Sequence, residues 1–249
     1  MAGWRTHVAA RLDALTMVLD PFPHFYISDF LPADLYRALI AGWPTHDSFV
    51  TTTASGLVKP KTAADRYPTD KRLLISIHDA ATRAADEDAA TALRAVSEFL
   101  LGAATIRAIA EKSIGHATAI RKDLKGRISL SADALIQEDI EGFMLGPHLD
   151  SPRKLASMLL YAPPDDSRAD LGTTLFRPKP RFMQRYPQAG KEFIGRYHPY
   201  EEFEEARTVA YVPNAVFGFV VTPLAFHGVR PISGAAFARR TILWNIYWN

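Results

Sequence analysis

The sequence predicts an α+β chain in which a mainly helical first half, residues 1–125, supports a β-rich second half, residues 126–249. Two observations carry this expectation. From about residue 80 to 112 the chain is dominated by Ala, Leu, Arg and Glu, a helix-forming mixture. Beyond residue 125 come seven short apolar or alternating runs punctuated by Pro, Gly and Asp, the pattern of a sandwich or barrel. A hydrophobic content of 48% against 22% charged residues provides for a sizeable core. No internal repeat or low-complexity linker interrupts the chain, so one compact domain is expected.

Taken in order, residues 4–19 read as an amphipathic helix, with Val8, Leu12, Leu15 and Leu19 spaced by three and four. "PFPHFYISDFLP" (21–32) alternates aromatics and reads as a short strand, and "PADLYRALIAGWP" (32–44) as a helix with Pro and Asp in its first turn. Residues 47–70, rich in Thr, Lys, Asp and Pro, read as an irregular loop, and residues 80–112 as scaffold helix. The seven runs are 127–137, 142–150, 154–163, 173–178, 207–213, 215–223 and 240–248. Between two of them lies an insertion at about 177–206. It carries Arg177, Lys179, Arg181, Arg185, Lys191 and Arg196, then Glu201, Glu202, Glu204 and Glu205. Such an excursion is either a substrate loop on a rigid scaffold or a solvated surface segment with local ion pairs.

Several classes are excluded. With no cysteine there are no disulfides, thiolate zinc sites, iron–sulfur clusters or cysteine nucleophile. A formal net charge of +2 is too mild to argue for nucleic acid. Arg5, His7, Arg11 and Asp13 interrupt any apolar leader, and no run approaches bilayer length, so the cytoplasm is the default location and no membrane partner is expected.

Any protein-bound metal must therefore use His, Asp, Glu or backbone oxygen. Of eight histidines, His7 and His116 sit in helical patterns, His24 lies in a Pro-aromatic segment, and His46 and His78 border loops without a carboxylate at ligand spacing. His198, inside the insertion, reads as a surface residue or a substrate contact. His148 differs. In "GPHLD" (146–150) it stands two residues before Asp150, and in an extended strand such residues face the same way. His227 follows another strand and turn in "FHGVRP", and Arg239-Arg240-Thr241 opens the final strand. Alone, His-x-Asp is weak. Two imidazoles and one carboxylate on a β scaffold, however, make a facial triad with three open positions, which suits non-haem iron(II).

With these residues in view, the chain resembles the iron(II)- and 2-oxoglutarate-dependent oxygenases. "PFPHFYISDFLPADLYRALIAGWP" and "HLDSPRKLASMLLYAPPDDSRADLGTTLFRP" look like the N-terminal segment and central strands of their bacterial prolyl-hydroxylase-like branch. The likeness is strongest over 140–249 and departs at the insertion. It implies a double-stranded β-helix (jelly roll) core with supporting N-terminal helices. It further implies His148, Asp150 and His227 as catalytic metal ligands for Fe(II), with 2-oxoglutarate and O2 as cosubstrates. Arg239, twelve residues beyond His227, would hold the far carboxylate of 2-oxoglutarate, with Thr241 assisting. Arg240 is the rival anchor, because a bulge would exchange the two faces of the strand. The presence of Asp150 favours hydroxylation over halogenation. Arg153, Lys154, Arg177 and the basic insertion suggest an anionic or carboxylate-bearing substrate, such as an amino acid, a peptide or a sugar acid. Desaturation or cyclisation at the same metal, or a non-catalytic jelly-roll binding protein, are the competing readings. Neither substrate identity nor oligomeric state is legible.

Overall fold

A computed structural model describes residues 3–56, 68–120, 129–186, 197–234 and 238–248. Its helices are α1 (Trp4–Asp13), α2 (Ala33–Ala41), α3 (Ile77–Thr82), α4 (Glu87–Leu100), α5 (Ala103–Ile120) and α6 (Pro180–Arg185). Its strands are β1 (His24–Ile27), β2 (Val50–Thr51), β3 (Arg72–Ser76), β4 (Leu130–Asp139), β5 (Leu145–His148) and β6 (Lys154–Tyr161). They continue with β7 (Thr174–Pro178), β8 (Phe203–Thr208), β9 (Val216–Val220), β10 (His227–Val229) and β11 (Arg239–Trp248).

A seven-stranded sheet, in the order β1-β9-β6-β11-β4-β3-β2, faces a four-stranded sheet, β5-β10-β7-β8. Every pairing is antiparallel. Tyr161, Phe217 and Phe219 of the large sheet pack with Leu145, Leu175 and Val229 of the small one, which closes the inner core. This is the double-stranded β-helix, backed by helices.

Period-two alternation explains how each long strand serves both sides of its sheet. On β11, Ile242, Trp244 and Ile246 point outward into a core shared with Leu35, Leu39, Leu93, Val96 and Leu100 of the helices. Arg239, Thr241, Leu243 and Asn245 take the opposite face. Helix α4 shows why the Ala-rich region folds as it does. Asp86 caps it by accepting from the Ala89 N–H at 2.8 Å, and its apolar stripe Ala89, Leu93, Val96, Leu100 meets the sheet. No single helix among the described residues is long and apolar enough to cross a membrane.

Several elements differ from the sequence expectation, each for a physical reason. The expected helix 4–19 stops at Asp13, because Val18 exchanges both backbone hydrogen bonds with His24 and so must be extended. The first half also contributes to the sheets: β1, β2 and β3 are strands of the large one. β2 falls inside the expected 47–70 loop. The run at 207–213 is a strand only to Thr208, and β8 begins in the acidic stretch at Phe203. As an edge strand, β8 leaves Glu204 and Glu205 in solvent without loss. In the insertion, α6 docks on the small sheet through Phe182, which packs with Phe176, Phe203 and Phe226. Arg181 and Arg185 both reach Glu202, at 3.2 and 3.6 Å, and Lys179 donates to the Glu201 carbonyl. Lys179, Arg181 and Arg185 thus serve local pairing, and Arg177 pairs with the distant Asp20; Lys191 and Arg196 lie outside the described residues.

Strand β9 carries Gly218 directly opposite Phe25 of β1, and a Cβ there would lie 2.2 Å from the Phe25 ring. Phe25 is itself fully buried. Gly218→Ala is therefore expected to destabilise the protein by about 1–3 kcal/mol through overpacking, read by denaturant unfolding. An unchanged midpoint would show that the ring can move aside.

Candidate metal centre

The site begins with a strand register. His148 ends β5, His227 opens β10, and the two residues are direct partners in the antiparallel pair. Their rings sit side by side, centroids 4.3 Å apart. Gly228 permits this approach, since a Cβ there would fall 2.2 Å from the Leu145 carbonyl oxygen. Leu149, between His148 and Asp150, points away into the Phe176–Phe226 cluster, so alternation turns Asp150 back toward the imidazoles.

The hydrogen bonds around the ligands fix their states. His148 Nδ1 faces the Gly146 carbonyl at 3.0 Å, and His227 Nδ1 faces the Ala225 carbonyl at 2.9 Å. A carbonyl only accepts, so each Nδ1 carries the proton and each Nε2 presents its lone pair to the site. Those Nε2 atoms lie 3.8 and 3.9 Å from Asp150 Oδ1. The other carboxylate oxygen, Oδ2, accepts from Lys154 Nζ at 3.0 Å and Ser157 Oγ at 2.6 Å. One donor atom from each of the three residues lies within 4.8 Å of the others, and theirs is the one such His/Asp/Glu group among the described residues. Burial, and the neighbouring His227, lower the His148 pKa to about 3; burial lowers that of His227 as well. Burial alone would raise Asp150, but Lys154, the two histidines and Ser157 hold it well below the usual carboxylate range. At neutral pH the site offers two neutral imidazoles and one carboxylate, the donor set of a divalent metal.

The same cavity extends inward to a second polar end, lined by Arg72, Gln137, Thr173 and Arg239. Arg239 is completely buried. Its Nη1 donates to Asp139 Oδ2 at 2.9 Å and its Nε to the Leu171 carbonyl at 2.5 Å, while the buried Nη2 has no partner. The pairing of β11 with β4 runs without a bulge from Arg239 to Trp248. Arg240 therefore takes the opposite face, where Nε meets Glu138 Oε1 at 3.1 Å and the guanidinium lies over Trp43. Thr241 shares the inner face with Arg239, and its hydroxyl donates to Gln137 Oε1 at 3.3 Å.

Toward the open end, Leu159 and Leu243 form an apolar band, beyond which the sheet turns polar again. Asp133 accepts from Asn245 Nδ2 and from the Tyr247 hydroxyl, each at 2.8 Å. Asn245 Oδ1 stands 2.8 Å from Ser157 Oγ, which links this network to Asp150. Of the expected substrate residues, Lys154 lines the cavity and is paired with Asp150, and the other two lie elsewhere. Arg153 is exposed in the turn after Asp150, and Arg177 is paired with Asp20 on the surface, so neither lines the cavity. His24 is buried between Phe22 and Phe217. His46 meets Glu138, a carboxylate 92 residues away that local spacing could not reveal. His198 packs among Phe182, Phe203 and Phe226. Sequence reasoning passed over Arg72, Gln137, Asp139 and Ser157. The one signal was the alternation Asp133, Leu135, Gln137, Asp139 in β4, which puts polar residues on a face turned toward the core.

No family model matches the sequence, and no curated protein is significantly similar to it. Among solved structures, the chain superposes on a prolyl hydroxylase from Trichoplax adhaerens, in complex with a peptide fragment of the oxygen degradation domain of hypoxia inducible factor. The TM-score is 0.53 at 15% identity, over 98% of this chain and 88% of that one. The two chains share a fold. A Pseudomonas putida prolyl-4-hydroxylase is similar at TM-score 0.48 and 17% identity, over 96% of this chain and 98% of the other. A 2OG-Fe(II) oxygenase family protein from Burkholderia pseudomallei reaches 0.40 at 15%, over 99% and 91%.

Two outcomes follow from the geometry. Gly228→Ala should push β10 from β5 and lower the affinity for a divalent metal about 10-fold or more, as titration calorimetry would register. Metal-free protein should lose stability as the pH falls below the ordinary histidine value of 6.5. There the unfolded chain takes up protons that the folded site refuses, at His148 down to about 3. Thermal unfolding between about pH 7 and pH 5 reads this slope. His148→Gln should reduce it, and a flat wild-type profile would contradict neutral buried imidazoles.

Proposed function

We propose that this chain is an iron(II)- and 2-oxoglutarate-dependent dioxygenase that hydroxylates a C–H bond of a small molecule or a peptidyl side chain. One observation carries the reading. A two-histidine, one-carboxylate donor set shares a cavity with a fully buried arginine whose Nη2 has no partner. The donor set fits iron(II), and the unsatisfied guanidinium nitrogen fits the distal carboxylate of 2-oxoglutarate, which a charge-assisted hydrogen bond would hold. When bound, iron, 2-oxoglutarate and O2 together supply the oxidation, giving succinate, carbon dioxide and one oxygen atom for the substrate.

The chain's own residues bind, orient and exclude water. His148, Asp150 and His227 would hold the metal from one side. Lys154 and Ser157 keep Asp150 Oδ2 occupied, so that Oδ1 is the oxygen left for the ion. Arg239, flanked by the rings of Tyr161 and Tyr211, would fix the cosubstrate's far end. Leu159, Leu243, Phe219 and Val229 line the space between, where a dry wall strengthens each polar contact. The peptide bound to the Trichoplax enzyme supports a peptidyl substrate as one of the two classes. The basic residues expected to attract an anion are engaged elsewhere: Lys154 with Asp150 and Arg177 with Asp20.

Anaerobically iron-loaded protein given 2-oxoglutarate and then O2 should form succinate slowly, and faster with a substrate. His148→Ala should abolish metal binding and succinate together. Arg239→Ala should keep the metal and raise the 2-oxoglutarate KM on the order of 10-fold or more, where Arg240→Ala leaves it near wild type. Absence of succinate from iron-replete wild-type protein would refute the reading.

A further inference from the structure

At the inner end of the cavity two arginines meet one buried aspartate. Asp139 and Arg239 are fully buried, and Arg72 is nearly so, its side chain 13% exposed. The three residues form one row across three strands, because Asp139 is the register partner of Arg72 on β3 and of Arg239 on β11. Arg72 grips both carboxylate oxygens, Nε to Oδ1 at 2.6 Å and Nη2 to Oδ2 at 2.9 Å. With that carboxylate Arg239 makes a single contact, Nη1 to Oδ2 at 2.9 Å. Two guanidinium groups thus share one buried carboxylate, Nη2 of Arg239 is left without a hydrogen-bond partner, and a buried donor in that state is costly unless an acceptor completes it.

We propose that Arg72 is a positioning residue for the cosubstrate: by occupying Asp139 it keeps Arg239 from closing a two-pronged pair with that carboxylate. An arginine fork meets a carboxylate best through two parallel hydrogen bonds. With Arg72 absent, Asp139 Oδ1 would be free, and Arg239 and Asp139 would form a neutral pair with little attraction for an anion. With Arg72 present, Oδ1 is taken, and Nη2 of Arg239 stays unpartnered and open to a carboxylate. Rings hold the two forks in place: Phe143 lies 4.3 Å from the Arg72 guanidinium, and Tyr161 and Tyr211 flank that of Arg239. The ligand class is a dicarboxylate whose one end enters this pocket while the other faces the metal.

This inference rests on the oxygenase reading, and its test separates the two. 2-Oxoglutarate is titrated calorimetrically into anaerobic, iron(II)-loaded wild-type, Arg72→Met, Arg72→Lys and Arg72→Met/Asp139→Asn proteins. Glutarate, which has the distal carboxylate without the 2-keto group, is titrated in parallel. Metal affinity, measured first, reports whether the triad stands in each variant. Arg72→Met should weaken 2-oxoglutarate on the order of 10-fold or more, with Arg72→Lys between it and wild type. Adding Asp139→Asn removes the carboxylate that would neutralise Arg239 and leaves that guanidinium free for an anion, so the double variant should recover much of the lost affinity. A merely structural Arg72 would make the double variant as weak as the single one or weaker, and that result overturns the proposal. Wild-type affinity in Arg72→Met overturns it equally. Glutarate binding that depends on Arg72 upholds the anion site even where 2-oxoglutarate binds no better than glutarate, an outcome that removes the oxygenase reading alone.

Discussion

The site depends on the register that sets His227 opposite His148. Both residues stand at strand ends, where one slipped position would turn an imidazole into the opposite core. Gly228 secures that register by letting the β10 backbone lie against the Leu145 carbonyl. The rest is assembled around this pair. Leu149 anchors its side chain in the outer aromatic cluster, and alternation returns Asp150 to the imidazoles. Because Nδ1 of each ring is tied to a backbone carbonyl two residues earlier, ring orientation is fixed by the main chain and not by a neighbouring side chain.

From this centre, the inner face of the large sheet divides into three bands. The Arg72–Asp139–Arg239 row closes the deep end, leucines of β6 and β11 form the middle, and Asp133, Asn245 and Tyr247 form the open end. Strand β11 crosses all three, which accounts for its mixed composition. Beyond Arg240 its outward residues are large and apolar, while its inward residues change in character with depth along the cavity. A strand buried on both faces in this way resists reading by hydrophobicity alone.

The candidate ligand cluster was legible because a two-residue period and a short motif are local properties. Arg239 could be separated from Arg240 only by the bulge-free pairing of β11 with β4, which is not local. Arg72 carried no signal that spacing could use, and Asp139 showed only in the alternation along β4, since Arg72 is 67 residues from Asp139 and Asp139 lies 100 from Arg239. The misread elements share a cause. β10 has three residues around a glycine and looks like a turn, and β8 is an edge strand that needs no apolar outer face. Residues 15–19 keep a helical apolar spacing, yet Leu19 ends 60% exposed, because backbone pairing between Val18 and His24 overrides that pattern.

The row that closes the deep end draws one guanidinium from before residue 125 and its other two members from after it. The two halves of the polypeptide are thus stitched together at the innermost point of the cavity. A β-rich half cut loose from its partner would keep all three ligand side chains yet surrender β1, β2 and β3, the outer courses of its larger sheet. The larger sheet therefore draws on both halves, even though the candidate ligand residues crowd into the second.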